Sequence, residues 1–243
     1  MKKPLSLLLS AAALIAGQQA LAQPRDETVV VLHGLSRSAN SMKTMANGLI
    51  QAGYTVWNIN YPSTKHPIEY LANTYLKQQL DLCCEKDTIV HFVTHSMGGI
   101  VVREFLKNNS FERLGRVVML GPPNQGSEVV DNLKDTGAFQ WLNGTAGSQL
   151  GTDESSKPNT IGAANFPLGI IAGNKSLNPV LSLMIPGKDD GKVSVERTKL
   201  EGMKEQLIVP YVHTFIMNKP LVIENTICFL KDGHFCNSEG GST

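Results

Sequence analysis

Short β-branched or apolar runs alternate along this chain with stretches of helical periodicity. Thr28-Val29-Val30-Val31-Leu32 is such a run and ends at His33-Gly34, which predicts a buried strand. From about Ser38 to Ala52, Met42, Met45, Leu49 and Ile50 fall at helical spacing, and Gly53 stops the helix. The pattern continues with a strand over Tyr54–Asn60, a helix over Ile68–Cys84, a strand over Thr88–Val93 and a helix over Gly98–Asn108. Strands are then expected at Arg116–Leu120, Leu168–Ala172 and Gln206–Tyr211, with a last helix at Lys219–Lys231. Strands separated by helices predict βαβ units, hence a parallel sheet covered on both faces. One segment breaks the rhythm. Residues 124–166 are rich in glycine and include the polar tract Thr152–Pro158. A connection that long is expected to be functional, as a lid or cap.

The first 22 residues follow a different logic. Lys2 and Lys3 precede an apolar stretch from Leu5 to Ile15, and Ala20-Leu21-Ala22 has the small-x-small form of a cleavage site. This predicts an export signal cut after Ala22, leaving residues 23–243 as one domain; the apolar run is about half what a membrane span needs. The protein is therefore expected in the periplasm or outside the cell, with no stable membrane span.

Export changes how the four cysteines are read. Cys83, Cys84, Cys228 and Cys236 suggest two bridges, with three possible pairings. Cys228 with Cys236 is the easiest to close. Neighbours such as Cys83 and Cys84 rarely bond each other, because their Cα atoms sit closer than the usual disulfide range, so they are candidates to reach the C-terminal pair. No Cys-x-x-Cys is present, and His91 and His95 have no third ligand nearby, so neither set is read as a metal site. With 22 basic and 21 acidic residues among 243, net charge is +1, and 42% of residues are hydrophobic. That composition excludes a disordered chain and gives no basic excess for binding nucleic acid.

The chemistry lies at strand ends. Thr94-His95-Ser96-Met97-Gly98-Gly99 falls between a predicted strand and a predicted helix. That is the context of a nucleophile elbow, a tight turn that lifts a serine hydroxyl above a sheet and needs small neighbours. A bare Ser-x-Gly is weak: Ser238-Glu239-Gly240 in the polar tail also fits it. Ser96 needs a base, and the base needs an acid to orient it. His213, just past the strand ending at Tyr211, is the expected base, and His234 is expected on the surface. Asp190, before Gly191, is the expected acid, with Asp189 its rival. The loop after the first strand, His33-Gly34-Leu35, is expected to meet substrate, with the N–H groups of Leu35 and Met97 as oxyanion donors. His33 itself precedes the serine and is expected to act mainly as scaffold.

In these motifs the chain resembles the α/β-hydrolases of the lipase and esterase type. His33-Gly34, Thr94–Gly99, Gly121–Ser127, Asp190–Val195 and His213–Met217 run in that family's order. The resemblance implies a mostly parallel sheet with helices on both faces, a Ser96–Asp190–His213 triad, an acyl-ester or lipid substrate and no cofactor. Two departures stand out: Thr94 replaces the usual first glycine, and no calcium site can be matched. Acyl transfer or amide cleavage would use the same triad. A binding protein on this fold would instead be expected to lack a triad member.

Overall fold

The computed structural model describes residues 26–84 and 87–236. The expected export signal and the Ser238-Glu239-Gly240 tail lie outside the described residues. Six strands form one parallel sheet: β1 (Glu27–Leu32), β2 (Thr55–Ile59), β3 (Ile89–His95), β4 (Leu114–Leu120), β5 (Leu168–Gly173) and β6 (Glu205–Val209). They run in the order β2-β1-β3-β4-β5-β6. Val30 is level with Trp57 and Phe92, and Leu120 with Ile171.

The helices are α1 (Lys43–Gln51), α2 (Ile68–Tyr70), α3 (Lys77–Cys83), α4 (Met97–Asn108), α5 (Glu128–Leu133), α6 (Gly137–Ser148), α7 (Lys157–Ile161), α8 (Pro179–Ser182), α9 (Val195–Thr198) and α10 (Pro220–Asp232). A π-helical stretch, Leu71–Leu76, joins α2 to α3. The single helix expected over Ile68–Cys84 is therefore continuous but not uniform.

Strand residues alternate between two cores, as a period of two requires. Val30, Leu32, Phe92, Val117, Met119 and Ile170 pack with Leu71, Leu76, Ile100 and Phe105 on one face. Val29, Val31, Val93, Val118, Leu120 and Ile171 pack with Met45, Leu49, Val222 and Phe229 on the other. Both faces of every central strand are thus buried, which explains why these strands read as largely apolar runs.

The cysteines correct one expectation. Cys83 bonds its neighbour Cys84, and Cys228 bonds Cys236. Cys84 leaves α3 in an extended conformation (φ −130°, ψ 116°), which turns its side chain back toward Cys83. A link to the other pair is impossible, because Cys83 and Cys84 pack against the first core while α10, which carries Cys228, covers the second.

Residues 124–166 are not a structureless loop, since they form α5, α6 and α7. Their base is held by Arg103, a buried side chain on α4. Its guanidinium donates to the carbonyls of Asn124 (2.9 Å), Pro158 (3.0 Å) and Gly162 (2.8 Å), with no carboxylate among these partners. Burial lowers the Arg103 pKa to about 10.

Candidate active site

β3 ends at His95 and α4 begins at Met97, so Ser96 alone makes the turn between them. It does so at φ 54°, ψ −127°. Ser36 is the other non-glycine with positive φ among the described residues. A serine held in this region signals a conformation imposed by the surroundings. Those surroundings are close: a Cβ on Gly98 would lie 2.8 Å from the His33 carbonyl oxygen. The Thr94 departure finds its reason here too. A Cβ on Gly99 would lie 3.3 Å from Thr94 Oγ1, so the glycine on the helix leaves room for the larger side chain on the strand.

Asp190 and His213 come together after β5 and β6. His213 Nδ1 and Asp190 Oδ2 are 2.7 Å apart, and the His213 amide donates to the Asp190 carbonyl at 2.9 Å. Asp190 Oδ1 accepts from the amides of Lys192 (3.0 Å) and Val193 (2.9 Å), which locks the carboxylate plane. Asp189 points elsewhere: its Oδ1 accepts from the Gly191 amide (2.7 Å) and the Ser182 hydroxyl (2.8 Å). Both Asp190 and His213 are buried.

Gly121, at the end of β4, makes room for this pair. It has φ +54°, and a Cβ there would sit 3.0 Å from Asp190 Oδ2 and 3.1 Å from His213 Nδ1. Gly121→Ala is therefore expected to cost about 1–2 kcal/mol in stability from the left-handed backbone alone. By shifting the pair it should also lower turnover by about 10²-fold. Urea unfolding and ester kinetics on the same preparation check both; unchanged turnover would mean that the crowding is relieved elsewhere.

A cavity of about 310 Å³ opens onto these residues. Ser96, His95, His213 and Gly34 lie along it, as do Leu35, Ser36, Arg37, Lys192 and Val193. Val129, Val130, Phe139, Asn143 and Leu150 from the 124–166 segment complete its wall. Gly34 is close to the elbow: a Cβ there would lie 3.1 Å from Ser96 Cβ. The loop after β1 is anchored to α6 by Ser36, whose hydroxyl is 2.8 Å from the Leu142 carbonyl.

The histidines divide by depth. His33 does not line the cavity, so the substrate contact expected of it passes to Gly34 and Leu35. It stacks on Tyr61 (ring centroids 4.2 Å apart), and Tyr61 donates to its carbonyl at 2.6 Å. His95 reaches the cavity and its Nε2–H donates to the His213 carbonyl (3.0 Å), a positioning contact that sequence reasoning missed. Only its place beside Ser96 hinted at it. His91 accepts from the Arg116 amide at 2.9 Å, nearer the start of β3 and away from this chemistry. His234 is exposed and pairs with Glu205. Among the described residues no three His, Cys, Asp or Glu side chains form a metal-binding group.

Burial holds His33, His91 and His95 below the ordinary imidazole pKa; for His95 the neighbouring His213 adds to the effect. The sign follows. The folded state keeps these rings neutral while the unfolded chain protonates them near pH 6.5, so their contribution is full above that pH and is lost below it. Folding stability should fall between pH 7.5 and 5, by up to about 1.4 kcal/mol per pH unit for each ring. Urea midpoints across that range test this; a flat profile would contradict it.

A parallel sheet, a serine elbow on the third strand and an Asp–His pair after the fifth and sixth define an α/β-hydrolase. The sequence model for palmitoyl protein thioesterases matches residues 28–161, more than half of the chain. The chain belongs to that family. The match contains Ser96 and stops before Asp190 and His213. No curated protein sequence matches the chain. Among solved structures it is similar to the mature Bacillus licheniformis lipase BlEst2, with TM-score 0.65 and 20% identity over 88% of this chain and 94% of that one. The metagenomic carboxyl esterase MGS0156 superposes with TM-score 0.65 at 15% identity, covering 85% of this chain and 70% of that one. Legionella pneumophila phospholipase PlaB gives 0.62 at 16% identity, over 82% of this chain and 57% of that one. At these identities the likeness establishes the fold.

Proposed function

We propose that this protein is an exported serine hydrolase that cleaves acyl esters by way of an acyl-enzyme. The observation that carries the reading is the buried 2.7 Å contact between Asp190 and His213, with His213 lining the same cavity as Ser96 on its strained turn. His213 Nε2 takes the Ser96 proton as Oγ attacks the acyl carbonyl, and Asp190 holds the ring in the required tautomer. The N–H groups of Leu35 and Met97 receive the oxyanion, Leu35 from the loop beside the elbow and Met97 from the first turn of α4. Collapse of the tetrahedral intermediate expels the alcohol or thiol, which takes the proton from His213. Water, deprotonated by the same ring, then releases the acid and restores the serine.

Thioesters stand beside oxygen esters in this reading, and the family match favours including them. The α5–α6 region serves as the cap in this reading, since its side chains Val129, Val130 and Phe139 line the cavity. Export is supported by the leader pattern of residues 1–22 and by two disulfides, which persist in oxidising compartments. The test is labelling of residues 23–243 with a fluorophosphonate probe, read by peptide mass spectrometry. The expected adduct is on Ser96 and is lost in His213→Ala. No adduct on folded protein, with and without detergent, would overturn the reading.

A further inference from the structure

The cavity wall is chemically divided. Val129, Val130, Phe139 and Leu150 supply an apolar surface suited to an acyl chain, while Arg37 and Lys192 bring two cations to the same cavity. No Asp or Glu lines it. Among the described residues neither cation has a side-chain hydrogen bond or ion pair. Each stands on an anchored loop. Arg37 follows Ser36, whose hydroxyl bonds α6. The Lys192 backbone is held at both ends, its amide by Asp190 and its carbonyl by the Ser127 hydroxyl at 2.7 Å. Both side chains are exposed to solvent, and the two charges also feel each other: partial desolvation and then Arg37 lower the Lys192 pKa, with Asp190 acting in the opposite sense. Their field reaches the elbow, where both add to the lowering at His95.

Two like charges that line one cavity repel, and an anion that joins them there is favoured. We propose that the acyl donor carries a phosphate in its leaving group, and that Arg37 and Lys192 bind that phosphate while the acyl chain lies against the apolar wall. This rests on the hydrolase reading above and names its substrate class. The chemistry is unchanged: the acyl carbon–oxygen or carbon–sulfur bond breaks, the leaving group takes the proton from His213, and the phosphate stays intact. The phosphate could belong to a glycerophospholipid or to a phosphopantetheine-type thioester, and the two are separable.

The experiment compares kcat/KM on two substrate pairs, each differing only in the phosphate. One pair is 1-acylglycerol 3-phosphate against 1-acylglycerol; the other is acyl-phosphopantetheine against acyl-pantetheine. We expect the phosphate-bearing member of at least one pair to be preferred by about tenfold at low ionic strength, the scale of charge-assisted contacts in a partly exposed site. That preference should shrink in 0.5 M NaCl, about the concentration that collapses exposed ionic contacts. The pair that shows it identifies the source. The Arg37→Gln/Lys192→Gln double variant should bring the ratio close to one, and Arg37→Lys/Lys192→Arg should keep it. A wild-type ratio at or below one in both pairs overturns the proposal, and so does a preference that survives in the double glutamine variant. Turnover of the neutral substrates without such a preference sinks this proposal alone. Failure of all four substrates together with no fluorophosphonate adduct sinks the hydrolase reading as well.

Discussion

Ser96→Ala is expected to lower ester turnover on the order of 10⁶-fold while the protein stays folded. Ser36 also lines the cavity at positive φ, but its hydroxyl is committed to the Leu142 carbonyl, whereas Ser96 sits on the turn between β3 and α4 and shares the cavity with His213. Alanine removes that oxygen and keeps the Cβ, so the backbone cost of φ 54° stays the same and stability should change little. Ser96→Gly should behave differently. It also removes the hydroxyl, but glycine adopts this conformation freely, so it should be more stable than Ser96→Ala by about 1 kcal/mol or more. Residual hydrolysis kinetics and urea midpoints of the two variants separate the effects. Near-wild-type turnover in Ser96→Ala would remove the serine from the mechanism. Equal stability of the two variants would show that the turn is not strained.

The second large effect distinguishes two adjacent carboxylates. Asp190→Asn should lower kcat by about 10⁴-fold, because the amide nitrogen would face His213 Nδ1 donor to donor and favour the wrong ring tautomer. The new side chain can still accept from the Lys192 and Val193 amides, so the loop should hold. Asp189→Asn keeps an oxygen for the Gly191 amide and the Ser182 hydroxyl, and turnover should stay within a few-fold of wild type. Steady-state kinetics on both variants decide the matter. A large loss in Asp189→Asn with little in Asp190→Asn would reverse the assignment, and equal small losses would take the acid out of the mechanism.

Much of the sheet was legible because its chemistry is local. Each central strand is buried on two faces, so Val29–Leu32, Val90–Val93 and Leu168–Ala172 are apolar at every position but His91 and stand out in any window. Boundaries were less legible. β4 begins at Leu114, two residues before the expected start, because its first residues are only half buried. The helices of the 124–166 segment escaped detection for a related reason. Gly137, Gly144 and Gly147 lie in or at the start of α6, and the helix bends at Gly144 (φ 58°) where it passes the backbone of Thr64. That close approach joins residues 80 positions apart, and no local pattern records it.

By itself, the sequence determined the order of strands and helices, the serine turn between β3 and α4, and the chain order Ser, Asp, His. Each of these depends on residues within a few positions of one another or on succession along the chain. Only the tertiary structure decided which aspartate meets His213, which cysteines pair, that His33 lies behind the cavity, and that Arg37 and Lys192 share it. Those facts depend on distances between segments far apart in sequence. A chain brings such segments together only when burial of both sheet faces fixes the loops above them.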